Sequence, residues 1–214
     1  GIKEDDISDF CRAYRDSGLK MLWAAETRVN CIKNGEIVDL LKSSGCIQLD
    51  FGVETGSPRL LKLINKTTTV EQTIREFKLC RERGLRTFAN VLLNLPTENK
   101  KDLEMTETLL AEIEPTFTSI GVTQPYPGTD IYKHLNKPIS KLDYSKLSRM
   151  FPAEEYRLGD HDLNLEKLLF DWMRKYGSLS PFESSLFKAD REYWKTLIRS
   201  EYRLAYALFL IKDL

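Results

Sequence analysis

Polar side chains suited to holding a small charged ligand recur at four places in this 214-residue sequence. They are Glu26, Thr27 and Arg28; Glu54, Thr55 and Gly56; Asn94, Pro96 and Glu98; and Gln124, Tyr126 and Gly128. Each group follows a short apolar run. A carboxylate offers paired acceptors for hydroxyls, a cation pairs with a ligand carboxylate, and glycine lets the backbone come close. Brought to one mouth, these residues suit a zwitterionic or ribose-bearing ligand rather than an apolar one. Metal chemistry is less favoured. The four cysteines, Cys11, Cys31, Cys46 and Cys80, lack the close C-x2-C pairing of structural zinc sites, and the two histidines, His134 and His161, have no Cys or His nearby. No metal-ligating residue is assigned, the thiols are expected to be reduced, and both histidines are expected at the surface.

Composition narrows the class further. The chain carries 32 basic and 32 acidic residues, so neither nucleic acid nor an anionic membrane is expected as its main partner. The longest apolar run, Leu204 to Ile211, is far shorter than the ~18 residues of a membrane span, and the polar opening Gly1 to Asp6 does not read as a signal peptide. A cytoplasmic location follows as the expectation.

The elements that position the four groups can be read from periodicity. Ile7, Phe10, Cys11 and Tyr14 mark one helical face that Gly18 ends. Lys20 to Thr27 reads as a strand, Ile37 to Leu41 as a helix ahead of Gly45, and Cys46 to Val53 as a second strand. Ser57 and Pro58 form a helix start, Thr69 and Gln72 have capping-box spacing, and Gly84 closes that helix. Arg86 to Leu93 is the third strand, a helix runs from about Lys100 to Pro115, and Thr118 to Thr123 is the fourth strand. Strands alternating with helices predict a parallel sheet, an α/β layer or barrel with the four polar groups at the carboxyl ends of its strands.

Four strands do not close a TIM-like barrel, which takes about eight. A partial (β/α) barrel over 1–137 is therefore expected, with at least one strand-helix unit lying upstream. Residues 138–214 hold 13 of the 22 aromatics and read as a helical C-terminal region. One stripe in it is Leu165, Leu168, Leu169, Trp172 and Tyr176; another is Trp194, Leu197, Ile198 and the run from Leu204. An open sheet edge and that run predict self-association.

The stretches Trp23 to Val29 (WAAETRV), Gly45 to Ser57 (GCIQLDFGVETGS), Leu63 to Lys66 (LINK) and Gln124 to Thr129 (QPYPGT) resemble the radical S-adenosylmethionine (SAM) superfamily. The similarity covers roughly residues 3 to 135. The PYPGT end is most similar to the branch with a cobalamin-binding domain, which includes anaerobic magnesium-protoporphyrin ester cyclases and many methyltransferases. The resemblance implies an enzyme that binds SAM, a 4Fe–4S cluster, a small-molecule substrate and possible cobalamin in a longer polypeptide. It implies that Glu54 hydrogen-bonds the SAM ribose, that Lys66 pairs with the methionine carboxylate, that Arg28 lies near the methionine end, and that Leu92 to Leu95, with Leu93 and Asn94 at the centre, back the adenine. Gln124 and Tyr126 are the substrate-binding candidates. The C-x3-C-x2-C segment that holds the cluster is not among the four cysteines, and Asn94 and Thr97 stand where the family usually has glycine. The expectation is the C-terminal part of such an enzyme, inactive by itself and completed by the N-terminal part of its own polypeptide.

Plainer readings stand beside these. Glu54 and Arg28 would also make a structural ion pair between strand ends. Lys66 would also complement the dipole at the end of a helix, and Glu98 would be a first-turn helix carboxylate. The whole chain would also serve as a docking module, or as a cluster-free barrel lyase using Lys66 as a Schiff-base amine.

Overall fold

A computed structural model describes residues 4–32, 34–135, 137–147 and 153–176. The second aromatic stripe, Trp194 to Ile211, lies outside the described residues. Helix α1 (Glu4–Asp16) leads into strand β1 (Trp23–Thr27), followed by α2 (Gly35–Ser43), β2 (Cys46–Glu54), α3 (Pro58–Leu63), α4 (Val70–Glu82), β3 (Arg86–Leu93), α5 (Lys100–Ile113), β4 (Phe117–Val122) and, after several 3-10 turns, α6 (Leu165–Lys175). The four strands form one parallel sheet in the order β1-β2-β3-β4. This is the expected α/β arrangement, and each of the four polar groups lies at or just beyond the carboxyl end of a strand.

Local chemistry explains most helix boundaries. Ser57 accepts the Leu60 N–H ahead of Pro58, and Thr69 and Gln72 form a reciprocal capping box. A second box not anticipated from the sequence, Asn99 with Asp102, opens α5. The first strand is shorter than expected. It begins at Trp23, the first residue paired with β2, whereas Met21 and Leu22 are exposed.

Strand β3 alternates cleanly. Thr87, Ala89, Val91 and Leu93 are buried, and Arg86, Phe88, Asn90 and Leu92 are half-buried. Register places Leu49 beside Thr87 and Phe51 beside Ala89, and Phe51 meets Phe77 of α4 at 5.0 Å between ring centroids. This is the helix-covered core face, where each fully buried large apolar side chain contributes about 1.5–3 kcal/mol. The opposite face carries Glu26, Asp50 and Phe88 as one cross-strand row, and Gly52, Asn90 and Ser119 as the next toward the strand ends.

Residues 153–176 pack onto the same unit. Tyr156 is fully buried, the Thr97 N–H donates to the Leu158 carbonyl at 2.9 Å, and the Asp160 N–H donates to the Glu98 carbonyl at 2.6 Å. Helix α6 buries Leu165, Leu168, Leu169 and Trp172, the stripe read from the sequence, while Tyr176 donates to Glu107 of α5. No helix among the described residues is long and apolar enough to cross a membrane.

Candidate functional site

A cleft of about 310 Å³ opens at the carboxyl ends of the strands. Glu26 of β1, Gly52 and Glu54 of β2, and Asn90 and Leu92 of β3 line one part of it, and Val122 of β4 with Thr123, Gln124 and Tyr126 beyond it line the rest. The cleft lies where the strand-end rule places the polar groups. Periodicity alone does not single out Asn90 or Thr123, whose signal is only their position near a strand end.

The conformation of Glu54 follows from an irregularity in β2. Gly52 pairs with Asn90 but Glu54 pairs with Val91, so the register slips by one residue. The Thr55 N–H bonds back to the Val53 carbonyl at 2.8 Å around Glu54, whose φ is 63°. That is a γ-turn of the strained hand. It leaves the Glu54 carboxylate at the cleft, where Oε1 lies 2.8 Å from Lys66 Nζ. Lys66 Nζ also donates to the Gly52 carbonyl at 3.1 Å. A Cβ at Gly52 would lie 2.6 Å from Glu54 Oε1 and 2.8 Å from Lys66 Nζ, so a side chain there would displace the pair.

Lys66 is not on a helix. Helix α3 ends at Leu63, Asn65 takes a left-handed conformation at φ 55°, and Lys66 sits in the loop beyond, folded back over β2. The dipole reading thus gives way to an ion pair with Glu54. Arg28 is exposed and is not the partner of Glu54. Gln124 is buried at the wall of the cleft, and Tyr126, about half exposed, stands at its rim. The turn Tyr126-Pro127-Gly128-Thr129 closes through the Thr129 N–H to the Tyr126 carbonyl with Gly128 at φ 85°, a type II geometry that needs glycine there.

Leu93 and Asn94 are placed differently from the sequence expectation. The strand pleat sends Leu92 to the cleft and Leu93 into the helix-covered core, where it is fully buried. Asn94 is 1% exposed, with φ 62°. Its amide nitrogen donates to the Thr123 and Tyr156 carbonyls, each at 3.1 Å, and its oxygen accepts from the Leu158 and Gly159 N–H groups at 2.7 and 3.2 Å. All four bonds are internal. Asn94 therefore clamps the segment around 156–159 to the ends of β3 and β4, and its side-chain amide is fully used in doing so.

Glu98 and His161 also depart from expectation. Glu98 precedes α5 and is buried, accepting the Asn94 N–H at 2.7 Å. His161 is buried as well, with Nε2 at 3.6 Å from Glu98 Oε2. Arg157 Nη1 lies 3.1 Å from His161 Nδ1, and because arginine only donates, Nδ1 accepts and the ring proton sits on Nε2 toward Glu98. Burial pushes the Glu98 carboxyl up, while His161 and the Asn94 N–H pull it down. On the open sheet face, burial and the neighbouring Glu26 raise the Asp50 carboxyl, and the Gln48 amide, donating at 2.8 Å, opposes them.

Two buried polar features bear on ligand chemistry. Thr123 Oγ1 is buried at the cleft with no hydrogen-bond partner among the described residues, so a ligand atom there would satisfy a group that is otherwise costly to bury. The cysteines, by contrast, do not converge: among the described residues no group of three His, Cys, Asp or Glu could hold a metal ion. Burial pushes the Cys46 and Cys80 thiols up to about 11 and about 12, which disfavours the thiolate an iron–sulfur cluster requires. The described residues do not fit a cluster.

Residues 9–110 match the family model of the radical SAM superfamily. This stretch is a radical SAM domain. Sequence relatives agree. The chain is 25% identical over 198 residues to the anaerobic magnesium-protoporphyrin IX monomethyl ester cyclase of Rubrivivax gelatinosus, covering 92% of this chain and 36% of that protein. It is 27% identical over 147 residues to an uncharacterized methyltransferase of Pyrococcus horikoshii, covering 68% of this chain and 32% of the relative. The chain thus spans about a third of the length of these curated relatives. The radical SAM enzyme coproporphyrinogen III oxidase from Escherichia coli shares the fold, with a TM-score of 0.58 and 17% identity over 81% of this chain and 37% of that one. The four-stranded parallel sheet accordingly has the α/β fold of a partial radical SAM barrel.

Proposed function

We propose that this chain supplies the SAM-binding strand ends of a radical SAM enzyme, with Glu54 accepting from the ribose hydroxyls and Lys66 pairing with the methionine carboxylate. The observation that carries the proposal is the Glu54–Lys66 pair. A carboxylate and an ammonium are held 2.8 Å apart at one cleft, the first by a strained turn and both through the clearance at Gly52. In the absence of ligand the two charges neutralise each other. A zwitterion with vicinal hydroxyls offers each a replacement partner, and charge-assisted hydrogen bonds of this kind contribute about 1.5–3 kcal/mol apiece. Thr123 Oγ1 and the Asn90 side chain complete the polar wall.

When bound with its cluster, SAM supplies the radical or methyl chemistry of the superfamily, and the residues of this chain bind and orient it. The cluster ligands and a cobalamin-binding segment are assigned by the same proposal to the rest of a longer polypeptide. Two features support that assignment: the lengths of the relatives, and β1, which among the described residues has a sheet neighbour on one side only. Gln124 and Tyr126, at the wall and rim of the cleft, are proposed to face the substrate.

Binding of SAM to the 214-residue chain, followed by saturation-transfer NMR, tests the reading. Glu54→Gln and Gly52→Ala are each expected to weaken binding by about tenfold or more, the loss of one charge-assisted contact. Equal affinity in Glu54→Gln and wild type would refute it.

A further inference from the structure

We propose that Thr106, one and a half turns into α5 and outside the cleft, is a positioning residue that holds the turn at Glu54 and thereby sets the Glu54–Lys66 pair. The inference rests on the reading of that pair as a SAM-binding element. Its physical basis is a closed chain of buried hydrogen bonds. Thr106 Oγ1 donates to the Asp102 carbonyl at 2.9 Å and accepts the Gly56 N–H at 2.8 Å. Its one proton is thus committed, so in the 3.0 Å contact between Thr106 Oγ1 and Thr55 Oγ1 the Thr55 hydroxyl is the donor. Thr55 Oγ1 in turn accepts the Ser57 N–H at 3.1 Å, and the Ser57 hydroxyl donates to Asp102 Oδ1 at 2.6 Å. Every donor in the sequence from Thr55 to Ser57 has an acceptor, and every link runs to α5 or to its neighbour in the chain.

These groups are cut off from water. Thr55 and Ser57 are 1% exposed, Thr106 2% and Asp102 4%. Removing the Thr106 hydroxyl would leave the Gly56 N–H and the Thr55 hydroxyl buried without partners, so the turn would have to open to find water. The backbone also touches the helix directly. A Cβ at Gly56 would lie 2.7 Å from the Thr106 Cα and run into the Met105 carbonyl, which makes residues 55–57 a template-fitted segment rather than a free loop. Glu54 immediately precedes it at φ 63°, a conformation that a glutamate does not hold by preference and that needs outside support. Threonine is a mediocre helix residue, β-branched and bonded back to its own i−4 carbonyl. Its value at position 106 lies in the loop it grips.

The test compares Thr106→Val, which keeps shape and removes the hydroxyl, with Thr106→Ser, which keeps the hydroxyl. Thr106→Val is expected to weaken SAM binding by about tenfold while near-UV circular dichroism stays native, and to speed amide exchange at Gly56 by about tenfold or more. Thr106→Ser is expected to restore both to within about twofold of wild type. SAM affinity lost in Glu54→Gln but untouched in Thr106→Val would overturn the positioning role alone. Indifference of SAM binding to Glu54→Gln would overturn the reading of the cleft, and exchange at Gly56 would still judge Thr106. Should the valine variant fail to fold, the wild-type chain decides: a Gly56 amide that exchanges as fast as an exposed loop would refute the inference.

Discussion

Replacing Asn94 with glycine should destabilise the protein, against the usual rule for a residue with positive φ. At φ 62° a non-glycine residue carries strain, and glycine normally relieves it by up to about 1 kcal/mol. Here the side chain makes four buried hydrogen bonds, to the Thr123 and Tyr156 carbonyls and from the Leu158 and Gly159 amides. At about 1 kcal/mol net for each, their loss outweighs the relief and leaves a deficit of about 3 kcal/mol. With a urea slope of about 2 kcal/mol per molar, the midpoint should fall by roughly 1.5 M. Thr97→Gly is the matched control. Thr97 has φ 61°, but its hydroxyl makes only an exposed contact, accepting from Arg59 at 2.7 Å, so the change in stability should stay within about 1 kcal/mol. Urea unfolding of both variants gives the midpoints, and amide exchange at Leu158 and Gly159 reports the clamp itself. An Asn94→Gly midpoint at or above wild type, with those two amides still protected, would refute the clamp.

Two further outcomes are expected. Burial pushes the Asp102 carboxyl up, but the Ser57 hydroxyl, the Asn99 N–H and the Arg59 guanidinium more than offset this and hold it below the ordinary range. A depressed folded value means that its stabilisation is complete above the unfolded value of about 3.9 and is lost as pH falls through the folded one. Asp102→Asn should therefore be less stable at neutral pH and show a shallower loss of stability between about pH 4 and pH 2; parallel acid profiles for the two proteins would count against it. Among the thiols, Cys31 is half-buried while Cys46 and Cys80 are buried and pushed up to about 11 and about 12. Native-state alkylation at about pH 8, followed by mass spectrometry, should modify Cys31 first and leave Cys46 and Cys80 untouched until unfolding. Labelling of Cys46 at a rate matching Cys31 would contradict the burial argument.

What the sequence determined by itself was much of what depends on near neighbours. Helix starts at Ser57 and Thr69 and the glycine stop at Gly84 depend on bonds spanning three or four residues, so residue type and spacing report them directly. The alternation of strands and helices dictates parallel pairing, and parallel pairing brings the polar strand ends to one side. That is why the sequence alone places Glu54, Gln124 and Tyr126 as neighbours. Tertiary structure alone decided the contacts made across long stretches of chain. Asn94 meets Leu158 and Thr106 meets Gly56 at separations of 64 and 50 residues, where periodicity carries no signal. The same holds for His161, which leaves the surface only because the segment around it is clamped onto Glu98 and Asn94. Lys66 turned from a helix-end cation into the partner of Glu54 because a left-handed Asn65 redirects the chain, and Leu92 replaced Leu93 at the cleft because the pleat of a strand sends adjacent side chains to opposite faces. Residue types named the chemistry, and the exchange of buried hydrogen bonds between distant segments determined which atoms were left to perform it.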